Sequence, residues 1–290
     1  MFDRLCILGV GLIGGSVAKG SREQGLCREI IGVDRDRNNL RMARELGVID
    51  SAVEEFRDAQ GTFDLVVLAT PVGSFDELFE QLKPNWSAAT IYTDVGSTKE
   101  NVIGAASSVF GRIPSNFVPG HPIAGSEQCG VLAARCDLYR NKRVILTPLA
   151  ETDRQATGFV EEFWRKLGAK VSLMEPAHHD DIFAATSHLP HIVAFSLVDM
   201  LGRKDEKDEI LQYAAGGFKD FTRIASSDPK MWLDICLANR SRMMRLIEEF
   251  RQELTLINEI LENQEADKLF DIFRSANHAR KRFLEQFEIE

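Results

Sequence analysis

Cysteine is scarce and unpatterned in this chain. The five present (Cys6, Cys27, Cys129, Cys136 and Cys236) are odd in number and contain no C-x-x-C pair, which argues against a disulfide framework and against a thiolate metal site. A reducing, cytoplasmic setting is the expectation. Runs of lysine or arginine are missing too. With 35 basic against 44 acidic residues the formal net charge is −9, so nucleic acid and anionic membranes are not expected partners. Any anionic small molecule would need a local basic pocket. Beyond the N-terminus no stretch approaches the ~18 to 20 apolar residues of a membrane span, and there are no internal repeats or low-complexity linkers.

What is there is an ordinary globular balance, 44% hydrophobic and 27% charged in 290 residues, enough for a packed core and long enough for two units sharing it. Up to about residue 175, short β-branched runs alternate with helical patterns: "LCILG", "IIGV", "LVVLAT", "IYTDV", "NFVPG" and "RVILT". That alternation predicts a mainly parallel, doubly wound sheet with helices on both faces. After Pro176 everything reads as helix, so the boundaries expected are 1–175 for an α/β domain and 176–290 for an all-α one. Along 243–261, Met243, Ile247, Phe250, Leu254, Ile257 and Leu261 form a heptad seam. A helix packed in its own domain and a helix paired across a two-fold dimer both fit it. Leu269, Ile272, Phe273, Phe283 and Phe287 supply a second apolar series.

The N-terminal "MFDRLCILGVGLIGGSVA" has the outline of a secretory leader, but its glycines have a mechanism of their own. Gly9, Gly11 and Gly14 are spaced G-x-G-x-x-G after a strand and before a helix, which suits a tight turn, close approach to a pyrophosphate and close helix packing. Asp34 follows Gly14 by twenty residues, at the end of the second strand, where a carboxylate can accept ribose hydroxyls. Leu12 and Ile13 in the turn and Thr70 and Pro71 after the third strand are counted with the cofactor positions, as is Arg35. NAD is expected over NADP because Asp34 repels a 2′-phosphate, although Arg35 and Arg37 could accept one.

"GHPIAGSE" is the second site-like stretch. Pro122 restrains His121 to an extended backbone, and an imidazole near neutrality suits proton removal in a hydride-transfer enzyme. Ser126 and Glu127 could simply open a short helix. In "DVGSTKE", Ser97 and Glu100 are spaced as a capping box, and Ser97 could also touch cofactor or substrate. His188 and His191 in "SHLPH" share one helical face, with Pro190 expected to bend the helix. A zinc site from His178, His179, Asp180, His188 and His191 lacks a metal-ligand spacing, so no metal is expected.

"GVGLIGGS", "DVGSTKE", "GHPIAGSE", "ATSHLPHIVAFSLVD" and "GGFKDFTRIASSDPKMW" occur in this order over residues 4–245, and together they resemble the prephenate dehydrogenase family, which includes cyclohexadienyl and arogenate dehydrogenases of tyrosine biosynthesis. The resemblance implies a Rossmann domain followed by a helical dimerisation domain, a homodimer through the C-terminal helices, and NAD-dependent oxidative decarboxylation of prephenate to 4-hydroxyphenylpyruvate. It implies His121 as the catalytic base and Ser97 as a catalytic residue near substrate and cofactor. Glu127, His179, His188, His191 and Arg223 fall on the substrate side, Arg223 as the partner of a substrate carboxylate. Glu127 and His191 fit a prephenate or dual pattern better than an arogenate-restricted one. An arogenate-preferring enzyme and a non-catalytic NAD sensor are the alternatives. A β-hydroxyacid dehydrogenase would need a catalytic lysine motif in the helical part that does not occur. No extra regulatory or chorismate mutase domain is expected, so tyrosine feedback would act at or near the active site.

Overall fold

The structure is a computed structural model that describes residues 2–288, with side chains through Glu285; Phe287 lies outside the described side chains. The α/β part runs β1 (Phe2–Leu8), α1 (Leu12–Glu23), β2 (Cys27–Val33), α2 (Arg37–Glu45), β3 (Ser51–Val53), β4 (Leu65–Leu68), α3 (Phe75–Leu82), β5 (Ile91–Asp94), α4 (Glu100–Phe110), β6 (Phe117–Val118), β7 (Gly120–Pro122), β8 (Arg143–Leu146), α5 (Arg154–Lys166) and β9 (Lys170–Leu173). Strands β1 to β6 form one sheet in the order β3-β2-β1-β4-β5-β6 with every pairing parallel. This is the doubly wound Rossmann order, with its switch point between β1 and β4. Alternate residues of one strand serve opposite faces: Leu5 and Ile7 of β1 enter one core cluster and Cys6 and Leu8 the other. That explains runs that are apolar throughout.

The leader-like N-terminus is therefore the central strand, the glycine turn and the first helix. One expected strand is placed differently. "RVILT" leaves the parallel sheet and, as β8, pairs antiparallel with β7 and parallel with β9 in a separate three-stranded sheet. Pro119 is the physical reason, since it has no N–H to continue the ladder from β6 and its carbonyl accepts from Thr147 N instead at 2.9 Å. Strands β3 and β9 gave no apolar run, being a three-residue segment and an edge strand with Lys170 and Ser172 in it.

The remainder is helical: α6 (Pro176–Phe183), α7 (Leu189–Gly202), α8 (Lys207–Gln212), α9 (Gly216–Thr222), α10 (Pro229–Ala238), α11 (Arg240–Glu262) and α12 (Ala266–Glu288). By compactness the chain divides into units Met1–Arg240 and Ser241–Glu290, the first of which holds both sheets and the helices through α10. Helices α6 and α7 run on through a π-helical turn, Ala184–His188, that accommodates Pro190. Pro176–Gly202 is long and apolar enough to cross a membrane by length and composition alone, although its first half carries His178, His179, Asp180 and Asp181. In the second unit the heptad seam is mostly open to solvent, with Met243 buried but Leu254 and Leu261 51% and 56% exposed.

Candidate active site

Position β7 decides where His121 goes. The peptide before it is gripped on both sides: Asp94 Oδ1 accepts from Gly120 N at 3.0 Å and Lys99 Nζ donates to Gly120 O at 2.6 Å. Lys99 Nζ also donates to Asp94 Oδ2, and both side chains of this pair are fully buried. Two residues of "DVGSTKE" thus hold the strand of "GHP" in place. Burial lowers the Lys99 ammonium, and the Asp94 carboxylate opposes that shift.

The imidazole of His121 meets a second one. His121 Nδ1 lies 2.9 Å from His179 Nε2, and His179 Nδ1 lies 2.8 Å from Asp180 Oδ1. Burial alone would raise the Asp180 carboxyl, but hydrogen bonds from His179 and from the Glu100 and Lys99 amides hold it below the ordinary carboxylate range. Being ionised it accepts only, so His179 carries its proton on Nδ1. Burial lowers His179 and keeps it neutral, which makes its Nε2 an acceptor. His121 must then donate from Nδ1, leaving Nε2 as the basic nitrogen; this assignment follows from the bonding pattern. Burial, and then the neighbouring His179, Lys99 and His188, push His121 well below its ordinary pKa. Phe183 packs edge-on against His121 at 4.9 Å and beside His179 at 4.5 Å, excluding water from that side.

Asp180 also corrects the reading of "DVGSTKE" as a capping box. Helix α4 starts at Glu100 with no cap from its own side chains; Lys99 N and Glu100 N donate instead to Asp180, at 2.8 and 2.9 Å. Ser97 sits half-buried in the loop between β5 and α4. Ser126 opens no helix. Its Oγ accepts from Gln128 N at 3.2 Å within an exposed loop.

His188 is buried; Asn239 Nδ2 lies 3.4 Å from its Nδ1 and donates to Asp180 O at 2.8 Å. Burial takes His188 down to about 4. His191 stacks on Trp232 at 3.6 Å between centroids, its Nδ1 donating to Ser187 O at 2.8 Å. Burial, and the nearby Arg223 charge, lower it despite that bond. Arg223 reaches Glu127 Oε2 at 3.3 Å, both side chains being largely exposed. His178 lies apart and exposed, and among the described residues no group of three or more histidines, cysteines or carboxylates is placed to hold a metal ion.

The glycine turn fits a dinucleotide. Gly9 has φ +91° and a Cβ there would stand 2.5 Å from Ala69 O, across the switch point where Thr70 and Pro71 follow β4. A Cβ on Gly14 would meet Gly9 O at 2.1 Å, so helix and turn are in contact. At Gly11 a Cβ would meet nothing within 4 Å: that position faces open space, as pyrophosphate approach requires. Leu12 and Ile13 open α1 beside it, and the hydroxyl of Thr70 is buried with no partner among the described residues. Asp34 Oδ2 accepts from Val10 N at 3.0 Å, which holds the carboxylate at the turn. Arg35 and Arg37 pair with Glu77 and Glu54 at 2.5 and 2.7 Å, all four side chains being exposed.

Two family models match the chain, one described as the prephenate dehydrogenase nucleotide-binding domain over residues 17–173 and one as the prephenate dehydrogenase dimerization domain over residues 175–275. The chain belongs to the prephenate dehydrogenase family. Among curated members of this family it is 37% identical to the prephenate dehydrogenase of Bacillus subtilis, covering 97% of this chain and 76% of that one. It is 33% identical to the cyclohexadienyl dehydrogenase of Zymomonas mobilis, over 97% of this chain and 96% of that one. Among solved structures, prephenate dehydrogenase from Aquifex aeolicus in complex with hydroxyphenyl propionate and NAD+ superposes with TM-score 0.90 at 37% identity, covering 97% and 98% of the two chains.

Within this prephenate dehydrogenase framework, several contacts at the candidate site come from residues to which sequence reasoning gave no role there, Asp180 having been weighed only in the zinc set. Asp180, Lys99, Asp94, Asn239, Phe183 and Trp232 all touch the histidine cluster or hold it. Only Asp180 carried a signal, as a carboxylate directly after a histidine; nothing in the sequence sets Lys99 apart.

Proposed function

We propose that the chain performs the NAD-dependent oxidative decarboxylation of prephenate to 4-hydroxyphenylpyruvate, with His121 as the base. The observation that carries this reading is the ordered series Asp180–His179–His121, which leaves His121 Nε2 unprotonated and aimed by a clasped backbone. NAD+ held at the glycine turn would supply the acceptor for the hydride of ring C4. His121 Nε2 takes the proton of the 4-hydroxyl as hydride leaves, and its own Nδ1 proton remains shared with His179, so the positive charge that develops is spread toward Asp180; the ring carboxylate then departs as carbon dioxide, its bonding pair completes the aromatic ring, and the oxygen regains the proton from His121 as the phenol. Arg223, which pairs with Glu127 at the surface, receives a substrate carboxylate with its planar fork. His191, kept neutral on Trp232, and His188 line the substrate side, and Ser97 stands near both ligands. Gly9, Gly11, Leu12, Ile13, Gly14, Asp34, Arg35, Thr70 and Pro71 form the cofactor side.

The same reading divides the chain functionally at 175/176 and makes it a homodimer. The exposed apolar residues of α11 and α12 support the latter, including Leu254, Leu261, Phe270 and Phe273, as does the dimerization model matched over 175–275. A second copy would likewise account for the open apolar face of Pro176–Gly202 without a membrane, and five free cysteines suit the cytoplasm. Light scattering of the purified chain should return twice the monomer mass. NADH formation with prephenate and with arogenate, each against NAD+ and NADP+, tests the activity: the expected best pair is prephenate with NAD+, and no turnover with either substrate would leave only a nucleotide-binding protein.

A further inference from the structure

Asn39 stands in the first turn of α2 with its amide fully engaged. Nδ2 donates to Val10 O at 2.9 Å and to Asp34 Oδ2 at 3.3 Å, while Oδ1 accepts from Val131 N at 3.2 Å. A carbonyl, a carboxylate and an N–H are satisfied by one orientation of the amide only. We propose that Asn39 is a positioning residue that couples the cofactor and substrate subsites, by tying the carboxylate at the glycine turn to the anchor of the loop that carries Glu127. The proposal rests on the NAD and prephenate reading above.

The loop has two anchors. At one end Ile123 N donates to Arg143 O on β8 at 2.8 Å. At the other, the segment from Val131 is pinned to α1: Val131 is buried, Arg135 N donates to Ser16 Oγ at 2.9 Å, Lys19 Nζ to Ala134 O at 2.8 Å, and Tyr139 Oη to Ile13 O at 2.7 Å. Between them residues 125–129 are exposed, and Glu127 of that stretch pairs with Arg223. The N–H that closes the loop at Val131 is bonded to Asn39, whose other contacts are Asp34 and the turn carbonyl. A ligand that draws on Asp34 and the turn changes the bonds Asn39 shares, and the loop feels the change through Val131. Two ligands influence one another only through such differential contacts, and the influence is reciprocal.

Calorimetric titration tests this without turnover. NAD+ affinity is measured with and without saturating hydroxyphenyl propionate, which is already aromatic and cannot give up hydride. In the wild-type chain the propionate should tighten NAD+ binding, by about fivefold or more. In Asn39→Ala that ratio should fall to near one, whereas a merely structural defect would weaken both ligands and keep the ratio. Asn39→Asp retains an acceptor for Val131 N but loses the donors to Val10 and Asp34; it should lose the coupling as well, and it decides the matter if the alanine variant does not fold. A wild-type ratio of one, or a ratio unchanged in the variants, overturns the proposal while both ligands still bind. Failure of the wild-type chain to bind either ligand overturns the functional reading itself.

Discussion

His121 and His179 are 58 positions apart in sequence, yet their ring nitrogens meet at 2.9 Å, and the second histidine is in turn held by Asp180. The proton on each ring is thereby assigned from one carboxylate. His121→Asn should lower turnover by ~10²-fold or more with little change in NAD+ affinity. Asp180→Asn, which lets the amide donate and removes the reason for the tautomer, should lower kcat by a similar order. Steady-state kinetics beside NAD+ titration checks both; an unchanged kcat in His121→Asn would remove its assigned role.

Acid should destabilise the fold before the carboxylates protonate. His121, His179, His188 and His191 are all lowered in the folded chain, chiefly by burial. Below the unfolded value of about 6.5 the unfolded chain takes up protons that these buried rings refuse. Stability is thus intact above pH 6.5 and declines as pH falls toward the folded values, His188 alone contributing on the order of 3 kcal/mol by pH 4. Thermal melts across this range should show the loss, and His188→Asn should show a shallower slope than the parent chain. A flat Tm from pH 6.5 to 4.5 would contradict the burial of these rings.

The two flanking positions of the glycine turn should fail differently. Gly11→Ala meets no protein atom within 4 Å, so the variant should fold normally and bind NAD+ poorly. Gly14→Ala would set a Cβ 2.1 Å from Gly9 O, so it should lose stability by 1 to 3 kcal/mol on the order of other overpacked sites. Tm and NAD+ affinity measured side by side separate the two; equal melting losses would mean that Gly11 is structural.

Arg223 is largely exposed and its pair with Glu127 is solvent-screened, so Arg223→Ala should leave Tm nearly unchanged. Its effect should fall on KM for prephenate, raised on the order of tenfold or more by loss of a charge-assisted contact. An unaltered KM would place the substrate carboxylate elsewhere.

The sequence alone determined the parts that depend on near neighbours. Apolar runs between helical patterns reported the strands of a doubly wound sheet, because a strand buried on both faces has no polar positions to interrupt it. Glycines at 9, 11 and 14 with Asp34 reported the dinucleotide turn, because backbone dihedrals and spacing along one strand and helix suffice for it. "GHP" reported a restrained imidazole for the same reason. What only the tertiary structure decided is what that imidazole touches. Asp180 caps α4 across 81 positions, Lys99 is buried against Asp94 and Gly120, and "RVILT" quits the main sheet where Pro119 ends the ladder. Each is a pairing between distant segments, and neither propensity nor periodicity encodes which buried polar group will satisfy which, since that is settled only when the chain closes and every desolvated donor must find an acceptor.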